Sequence, residues 1–363
     1  LMPLLSGRAQ KPGGVTMAWH FTTWAQTMKV FFTEFCSELP HPDYPSICHT
    51  NPAIPCKSLS EALHDDGYFT ALVTSADLAY DRKMRFFRHR AFDLVWDMRN
   101  MPGREDVWKD SWGHDERHTV KKLLELADEH RDERFFIFYE MATAHHPYNA
   151  CQEHVDDPLA DEWLAYRRAL GFVDDRVRGV VEGLDELGLL DDTLVFIASD
   201  HGEGFGQHPG SKSHGPKVYN ENVKVPCVFK GPQLAQISGR VEFPTSHLDL
   251  APTVLGLLGV PVPCTMKGRN LVESAPNRVM LIGGRPPGSQ FGLVDGRWKY
   301  IMEDGGMEML FDLLSDPGET ENVINDHLEQ ASVYREKLLD WHVFSENLVE
   351  NYGKILGETS CRP

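Results

Sequence analysis

The sequence predicts an α/β fold, in which a mostly parallel β-sheet is flanked by helices and followed by a small carboxy-terminal α+β subdomain. Two observations predict it. Continuous runs of β-branched and aromatic residues, typical of strands covered on both faces, alternate with helix-like stretches. From about residue 291, short strand-like pieces with Asp-Gly hairpin signals replace this alternation. We therefore expect one α/β domain over residues 1–275 and a small subdomain over residues 276–363.

Five apolar runs are the predicted strands, and a helical pattern precedes each of the first three. In chain order they are YFTALVTS (68–75), RFFIFYEMA (134–142), TLVFIASD (193–200), VPCVFKGP (225–232) and RVMLIGG (278–284). Hairpin signals follow at Asp295-Gly296 and at Asp304-Gly305-Gly306, and a last helix-like segment covers about 326–349.

Composition restricts the classes of partner. The 363 residues are 41% hydrophobic, which is enough for a substantial core, and the formal net charge is −18. So acidic a chain is not expected to bind nucleic acid. We also expect no membrane span, since no apolar stretch is long enough to cross a bilayer. The seven cysteines include no CxxC pair, and their odd number leaves at least one thiol free if the others pair.

One group of polar residues follows the third predicted strand, at the edge where parallel sheets bind ligands. Asp200 and His201 end that strand, so both side chains can turn toward one cation. His208, His214 and Lys217 follow within a glycine-rich loop, and imidazole and ammonium groups suit a tetrahedral oxyanion. The alternative is an ordinary turn with solvated loop residues. The combination favours a metal or anion site.

A second group follows the second predicted strand. The run FFIFYEMATAHHPYNA brings His145 and His146 to the same edge of the sheet, and Pro147 biases His146 toward an extended backbone. An imidazole here could protonate a leaving oxygen or hold an anion. Capping or core packing is the alternative. Trp96, Trp108 and Trp112 could line a sugar or aryl pocket, although core packing explains them at least as well.

In combination, these motifs resemble the sulfatases of the alkaline phosphatase superfamily. The similar segments are LLSGR (4–8), FYEMATAHHPY, ASDHGEGFGQH…HGPKVYNENVKVP, DLAPTVLGLLGV and the closing GLVDGRWKYIM…MLFDLLSDPGETENV, in the family's order. The resemblance implies a metal-assisted hydrolase acting on sulfuric esters. It also implies roles: metal ligands Asp200 and His201, catalytic residues His145, His214 and Lys217, and substrate-binding residues His146 and His208.

The resemblance also places the nucleophile ahead of this chain. In the family it lies a few residues before the LLSGR-type segment, as a Cys oxidised to formylglycine within Cys-x-Pro-Ser-Arg or as a Thr in phosphotransferases. Counting back from Leu4 places it before residue 1, so we expect this chain by itself to be inactive or nearly so.

Three hypotheses stay open from the sequence: a sulfatase, a phosphoesterase or phosphoethanolamine-type transferase with a Thr nucleophile, and a non-catalytic anion-binding member. The expected cofactor is a divalent metal ion, Ca²⁺ in first place with Zn²⁺ or Mn²⁺ as alternatives. The expected partner is a sulfated small molecule or glycan.

Overall fold

The computed structural model describes residues 13–42, 46–234, 239–271, 279–284 and 289–342. Its strands are β1 (Gly14–Phe21), β2 (Phe69–Thr74), β3 (Leu94–Trp96), β4 (Phe135–Glu140), β5 (Val195–Ala198), β6 (Gly204–Phe205), β7 (Lys212–Ser213), β8 (Cys227–Lys230), β9 (Gly239–Ser246), β10 (Met280–Gly283), β11 (Gln290–Asp295), β12 (Trp298–Glu303) and β13 (Glu308–Asp312).

The α-helices of the described residues are α1 (Thr27–Cys36), α2 (Ile47–Thr50), α3 (Leu59–Asp65), α4 (Lys83–Phe87), α5 (Glu116–Glu129), α6 (Gln152–Asp156), α7 (Glu162–Glu186), α8 (Asn220–Val223), α9 (Leu250–Leu258) and α10 (328–342).

The chain forms two compact units. The first takes most of its residues from Ser60–Phe196, and the second combines Thr16–Leu59, Ile197–Cys227 and the residues from Arg240 onward. The sequence-based limits of 1–275 and 276–363 stay a prediction.

The first unit contains a three-stranded parallel sheet in the order β3-β2-β4. Ala71 and Val73 of β2 are fully buried and pack against Leu126 of α5. This confirms the first two predicted strands and the helix between them, because the apolar positions of VKKLLELADEH repeat at helical spacing and cover the sheet. Helix α5 begins at the N-cap Asp115, whose carboxylate accepts from the backbone N–H of Arg117 at 2.9 Å.

A second sheet has the strand order β5-β8-β1-β9. Its neighbours β5 and β8 are the third and fourth predicted strands. The sequence did not predict β1 or β9. In β9, charged residues alternate with apolar ones and Pro244 interrupts the run. Proline is tolerated mainly in edge strands, and β9 is the last strand in this order.

The carboxy-terminal part of the second unit contains an antiparallel sheet in the order β10-β11-β12-β13. The fifth predicted strand is β10, and the two predicted hairpins join β11 to β12 and β12 to β13. Tyr300 of β12 packs with Trp24, Tyr334 and Trp341 in a buried aromatic cluster. Helix α10 confirms the predicted terminal helix as far as residue 342; the rest of that segment lies outside the described residues.

The remaining sequence predictions have mixed outcomes. Cys36 and Cys56 form a disulfide. Cys48, Cys151 and Cys227 are buried, and the thiol of Cys48 donates to the backbone carbonyl of Met28 at 3.4 Å. Across the parts of the chain that the structure describes, no helix is long and apolar enough to cross a bilayer, as expected. The LLSGR segment lies outside the described residues.

Candidate functional site

Asp200 and His201 lie together in the second unit, just after β5. The Nδ1 of His201 is 2.9 Å from the carbonyl oxygen of Gly202. A carbonyl only accepts, so Nδ1 carries the proton and Nε2 presents its lone pair. That Nε2 lies 3.3 Å from Oδ2 of Asp200. Histidines that bind metal usually donate their other N–H to a carbonyl or carboxylate in this way.

The glycine that follows these residues is required by the fold. A Cβ on Gly202 would lie 2.0 Å from the carbonyl oxygen of Glu221, and the Gly202 amide donates to the carbonyl of Asn222 at 2.8 Å. No other residue fits so close to a neighbouring backbone. The small hairpin of β6 and β7 then returns the chain toward His214.

Thr27, the first residue of α1, completes the contacts of Asp200. Its hydroxyl donates to Oδ2 of Asp200 at 2.7 Å, and the backbone N–H of His201 donates to Oδ1 at 2.9 Å. Thr27 is 173 residues away from Asp200 in the chain, and no motif signals it. Sequence reasoning therefore missed it.

Glu203 and His214 adjoin this pair. The ring of His214 stacks on that of His201 with centroids 4.2 Å apart, and its Nδ1 lies 3.2 Å from Oε2 of Glu203. The side chain of Glu203 is only 6% exposed, and its Oε1 has no hydrogen-bond partner in the described part of the chain. A buried carboxylate oxygen without a partner is costly unless a cation or water meets it. Glu203 was also not predicted as a site residue, although it lies within the segment DHGEGFGQH (200–208).

The protonation states of the pair suit metal binding. Burial raises the pKa of Asp200, but the coulombic interaction with His201 and the hydrogen bonds from Thr27 and the backbone outweigh it, so this pKa lies below its ordinary value. Burial lowers the pKa of His201 and His214 adds to this, against the opposing charge of Asp200. A carboxylate beside a neutral imidazole is the form in which both groups bind a cation.

Lys217 lies in the same unit and is paired. Its ammonium contacts the carboxylate of Glu303 at the end of β12, and the two side chains are 14% and 16% exposed. Its Cε would lie 3.2 Å from a Cβ on Gly210, so the lysine stem runs over that glycine. The sequence did not predict Glu303, which is 86 residues away.

His208 belongs to a separate charged network. Its Nδ1 lies 2.8 Å from Oε1 of Glu221, its Nε2 lies 3.1 Å from the backbone carbonyl of Glu319, and its ring stacks on Tyr219 at 3.9 Å. The ligand atoms of His208, Glu221 and Glu319 all lie within 4.8 Å of one another and could hold a metal ion. However, the ammonium of Lys299, fully buried, already lies 2.6 Å from Oε1 of Glu319. The predicted substrate contact of His208 stays a prediction.

His145 and His146 lie in the first unit, after β4. The ring of His145 packs on Trp112 with centroids 3.6 Å apart, and its Nδ1 donates to the carbonyl oxygen of His146 at 2.9 Å. The His146 side chain is 61% exposed, with its Nε2 4.0 Å from a carboxylate oxygen of Glu162. Their predicted roles stay predictions.

Comparisons with known proteins identify the family of the chain. A sequence profile described as Sulfatase matches residues 1–260. Arylsulfatase K of Bos taurus is 30% identical over 178 residues, which cover 44% of this chain and 32% of that protein. The chain spans between 32% and 58% of the length of the first three curated relatives it matches.

Solved structures share the fold. The lipoteichoic acid synthase LtaP from Listeria monocytogenes superposes with a TM-score of 0.72 at 18% identity, over 96% of this chain and 86% of that one. BT4656, solved in complex with its substrate D-glucosamine-2-N,6-O-disulfate, superposes with a TM-score of 0.65 at 14% identity, over 97% and 93%. At such identities the likeness shows the fold, and it confirms the predicted fold class.

Proposed function

The chain belongs to the sulfatase family, and from this premise we propose that the complete protein is a metal-dependent hydrolase of sulfuric esters. The observation that carries the proposal is the orientation of His201, whose Nε2 lone pair faces Oδ2 of Asp200 at 3.3 Å because Nδ1 donates to a carbonyl. Sulfatases depend on a metal in general, and this pair offers the imidazole and carboxylate donors that such an ion needs.

The ion would be held by Asp200 and His201. In the part of the chain that the structure describes, no third carboxylate, imidazole or thiol has a ligand atom within 4.8 Å of both of theirs. The buried Oε1 of Glu203, which has no hydrogen-bond partner in the described residues, supports a cation in the neighbourhood of this pair. The cluster of His208, Glu221 and Glu319 is less suitable for a metal ion. Lys299 already neutralises Glu319, and both ring nitrogens of His208 face hydrogen-bond acceptors. Ca²⁺ stays the proposed ion, with Zn²⁺ or Mn²⁺ as alternatives, since the carboxylate of Asp200 suits Ca²⁺ and the imidazole of His201 suits the transition metals.

When bound, such an ion polarises the sulfuryl group and offsets its negative charge. The ammonium of Lys217 would leave its contact with Glu303 and neutralise charge on the sulfuryl oxygens instead. Glu203 accepts from Nδ1 of His214, so that proton exchange with the reacting ester would proceed at Nε2 of His214. His145 stays a proposed catalytic residue, and His146 and His208 stay proposed substrate-binding residues.

We propose a sulfated sugar or another small sulfate ester as the substrate. BT4656, which shares the fold, was solved with a sulfated glucosamine, and this supports a glycan substrate for the present chain. The nucleophile is proposed to be the formylglycine of the family.

The test is an activity assay on the protein expressed from its complete coding sequence together with a formylglycine-generating enzyme. We expect release of nitrophenol from 4-nitrophenyl sulfate that EDTA abolishes. Turnover of 4-nitrophenyl phosphate without any turnover of the sulfate would favour the phosphoesterase hypothesis and refute the proposal. If the protein hydrolyses neither ester, the hypothesis of a non-catalytic anion-binding protein would be favoured instead.

A further inference from the structure

His247 lies at a buried junction of the second unit, and the proposed hydrolysis assigns it no role. It follows β9 in the turn that leads into α9, and Ser246 and Asp249 close that turn as a capping box. The backbone N–H of Ser246 donates to Oδ2 of Asp249 at 3.0 Å, and that of Leu248 donates to the Ser246 hydroxyl oxygen at 3.2 Å. The imidazole of His247 is fully buried, so the turn and its surroundings fix its position.

Both ring nitrogens of His247 face hydrogen-bond acceptors. Nδ1 lies 3.3 Å from the carbonyl oxygen of Phe21, at the end of β1. Nε2 lies 3.1 Å from the carbonyl oxygen of Ser199 and 3.2 Å from Oε1 of Glu34. Because a carbonyl oxygen only accepts, each ring nitrogen must donate a proton. A ring with two N–H groups is an imidazolium, and the carboxylate of Glu34 balances its charge.

Ser199, one of the two acceptors at Nε2, directly precedes Asp200 and His201. Its carbonyl accepts from His247, and its hydroxyl donates to the carbonyl oxygen of His201 at 2.8 Å. Its backbone N–H donates to the carbonyl of Pro226 at 3.3 Å. The position of His247 is therefore passed through one residue to the backbone that carries both proposed metal ligands.

Glu34, the other acceptor at Nε2, lies on α1 together with Thr27. The two residues are seven positions apart, which is about two turns of an α-helix, so they lie on the same face. Thr27 donates to Asp200 at 2.7 Å, and Glu34 meets His247 at 3.2 Å. Two contacts separated by two turns fix the position and the tilt of α1. His247 thus supports Asp200 from the helix as well as from the strand.

His20 is an equally buried histidine beside this junction with different contacts. Its ring lies 4.9 Å from that of His247, between centroids, and its Nδ1 lies 2.8 Å from the hydroxyl oxygen of Thr245 on β9. Burial lowers the pKa of His20 well below its ordinary value, and the coulombic interaction with His247 lowers it further. The neighbouring ring is therefore neutral, and the positive charge is confined to His247.

We propose that His247 is a positioning residue: a buried imidazolium, paired with Glu34, that holds the carbonyl of Ser199 and so fixes the two proposed metal ligands. Because the pair with Glu34 is neutral as a whole, it imposes this geometry without repelling a cation. The effect on the metal rests on the proposed function, since it assumes that Asp200 and His201 hold the ion. The protonation of His247 does not.

The first measurement tests the protonation without metal or turnover. The complete protein is labelled with ¹⁵N-histidine, and the ring nitrogens are observed by NMR in EDTA near neutral pH. We expect both nitrogens of His247 to carry a proton and those of His20 to show a neutral ring. The signals of His247 are assigned by their loss in His247→Gln or, if that variant does not fold, by their shift in Glu34→Gln.

The second measurement is the affinity for Ca²⁺, by calorimetric titration of the EDTA-stripped proteins. His247→Gln and Glu34→Gln should each bind Ca²⁺ about tenfold more weakly, because groups that hold metal ligands in place typically contribute that much. His20→Gln is the matched control, since His20 is equally buried but bonds to Thr245. It should bind Ca²⁺ as the unmodified protein does, even where it lowers stability. Circular dichroism identifies the folded variants.

An unprotonated ring nitrogen on His247 would overturn the inference. An unchanged Ca²⁺ affinity in folded His247→Gln would overturn it too, as would an equal loss in His20→Gln, because a purely structural role would then explain both variants. The hydrolase proposal would survive each of these results. If the unmodified protein binds no ion, the metal-dependent function and the positioning role both fail.

Discussion

Nε2 of His201 lies 3.3 Å from Oδ2 of Asp200, and the direction of its lone pair is fixed by the Nδ1–H bond to the carbonyl of Gly202. The two adjacent residues thereby direct an imidazole nitrogen and a carboxylate oxygen, both possible metal ligands, toward the same point. Thr27 and the His201 backbone hold the carboxylate in that orientation.

His214→Gln should lower kcat for 4-nitrophenyl sulfate by about 100-fold. Gln can still donate to Glu203, which is 3.2 Å from Nδ1 of His214, but it cannot exchange a proton with the ester. Stopped assays with metal analysis check this, and bound metal should be unchanged. His89→Gln, at an exposed position, is the control. Loss of metal along with activity would make His214 a ligand rather than a proton-exchanging group.

Lys217→Met should lower both stability and turnover. The variant leaves the largely buried carboxylate of Glu303 unpaired, at a cost on the order of 3 kcal/mol of unfolding free energy. The double variant Lys217→Met/Glu303→Gln should regain most of that stability in urea unfolding. Its turnover should stay about 100-fold low, since the charge opposite the sulfuryl oxygens is missing. Recovery of turnover with stability would mean that Lys217 is purely structural.

Glu116 should make the stability of the protein depend on pH. Burial raises its pKa from 4.5 to about 7, against the hydrogen bonds from Ser75, Tyr139, Ala142 and Thr143. The folded state therefore holds this proton more tightly than the unfolded state does. The resulting stabilisation, about 3 kcal/mol, is fully present below pH 4.5 and is lost as the pH rises through 7.

Glu116→Gln removes the titrating group, so its unfolding free energy should change less between pH 4.5 and 7 than that of the unmodified protein. Glu129→Gln, exposed at the other end of α5, should keep the original pH dependence. Urea unfolding at a series of pH values checks both. If the unfolding free energy of Glu116→Gln changes with pH as steeply as that of the unmodified protein, the Glu116 carboxyl titrates at an ordinary pKa.

The Cys36–Cys56 disulfide should stabilise the second unit. It closes a loop with a sequence separation of 20, for which loop entropy predicts about 3 kcal/mol. The double variant Cys36→Ser/Cys56→Ser should unfold at correspondingly lower urea. A reducing agent should destabilise the unmodified protein more than this variant. Equal stability of the two oxidised proteins would contradict the prediction.

The sequence predicted those parts of the fold that local patterns determine. Buried strands such as β2 and β4 are continuous apolar runs, and the helices before them have regular apolar spacing, so both were predicted. Strand β9 was not predicted because charged residues and Pro244 interrupt its apolar pattern. A strand tolerates proline mainly at the edge of a sheet, and β9 is the last strand in its sheet order.

The same distinction applies to the site. Asp200, His201 and His214 lie in one motif after one strand, and the structure brings them together. Thr27 reaches Asp200, and Glu303 reaches Lys217, from distant parts of the chain, and a hydroxyl or a carboxylate at such a distance leaves no local signal. Glu203 could have been found, because an acidic residue within a glycine-rich loop beside two histidines is itself a candidate ligand.

The most direct test of the account is a metal analysis of the complete protein and two variants after dialysis. We predict that the unmodified protein and Glu221→Gln, altered in the other candidate cluster, each keep a bound divalent ion, whereas Asp200→Ala loses it. Plasma mass spectrometry would also identify the ion, for which Ca²⁺ is expected. Retention of the ion by Asp200→Ala, or its loss from Glu221→Gln, would contradict the assignment of the metal to Asp200 and His201.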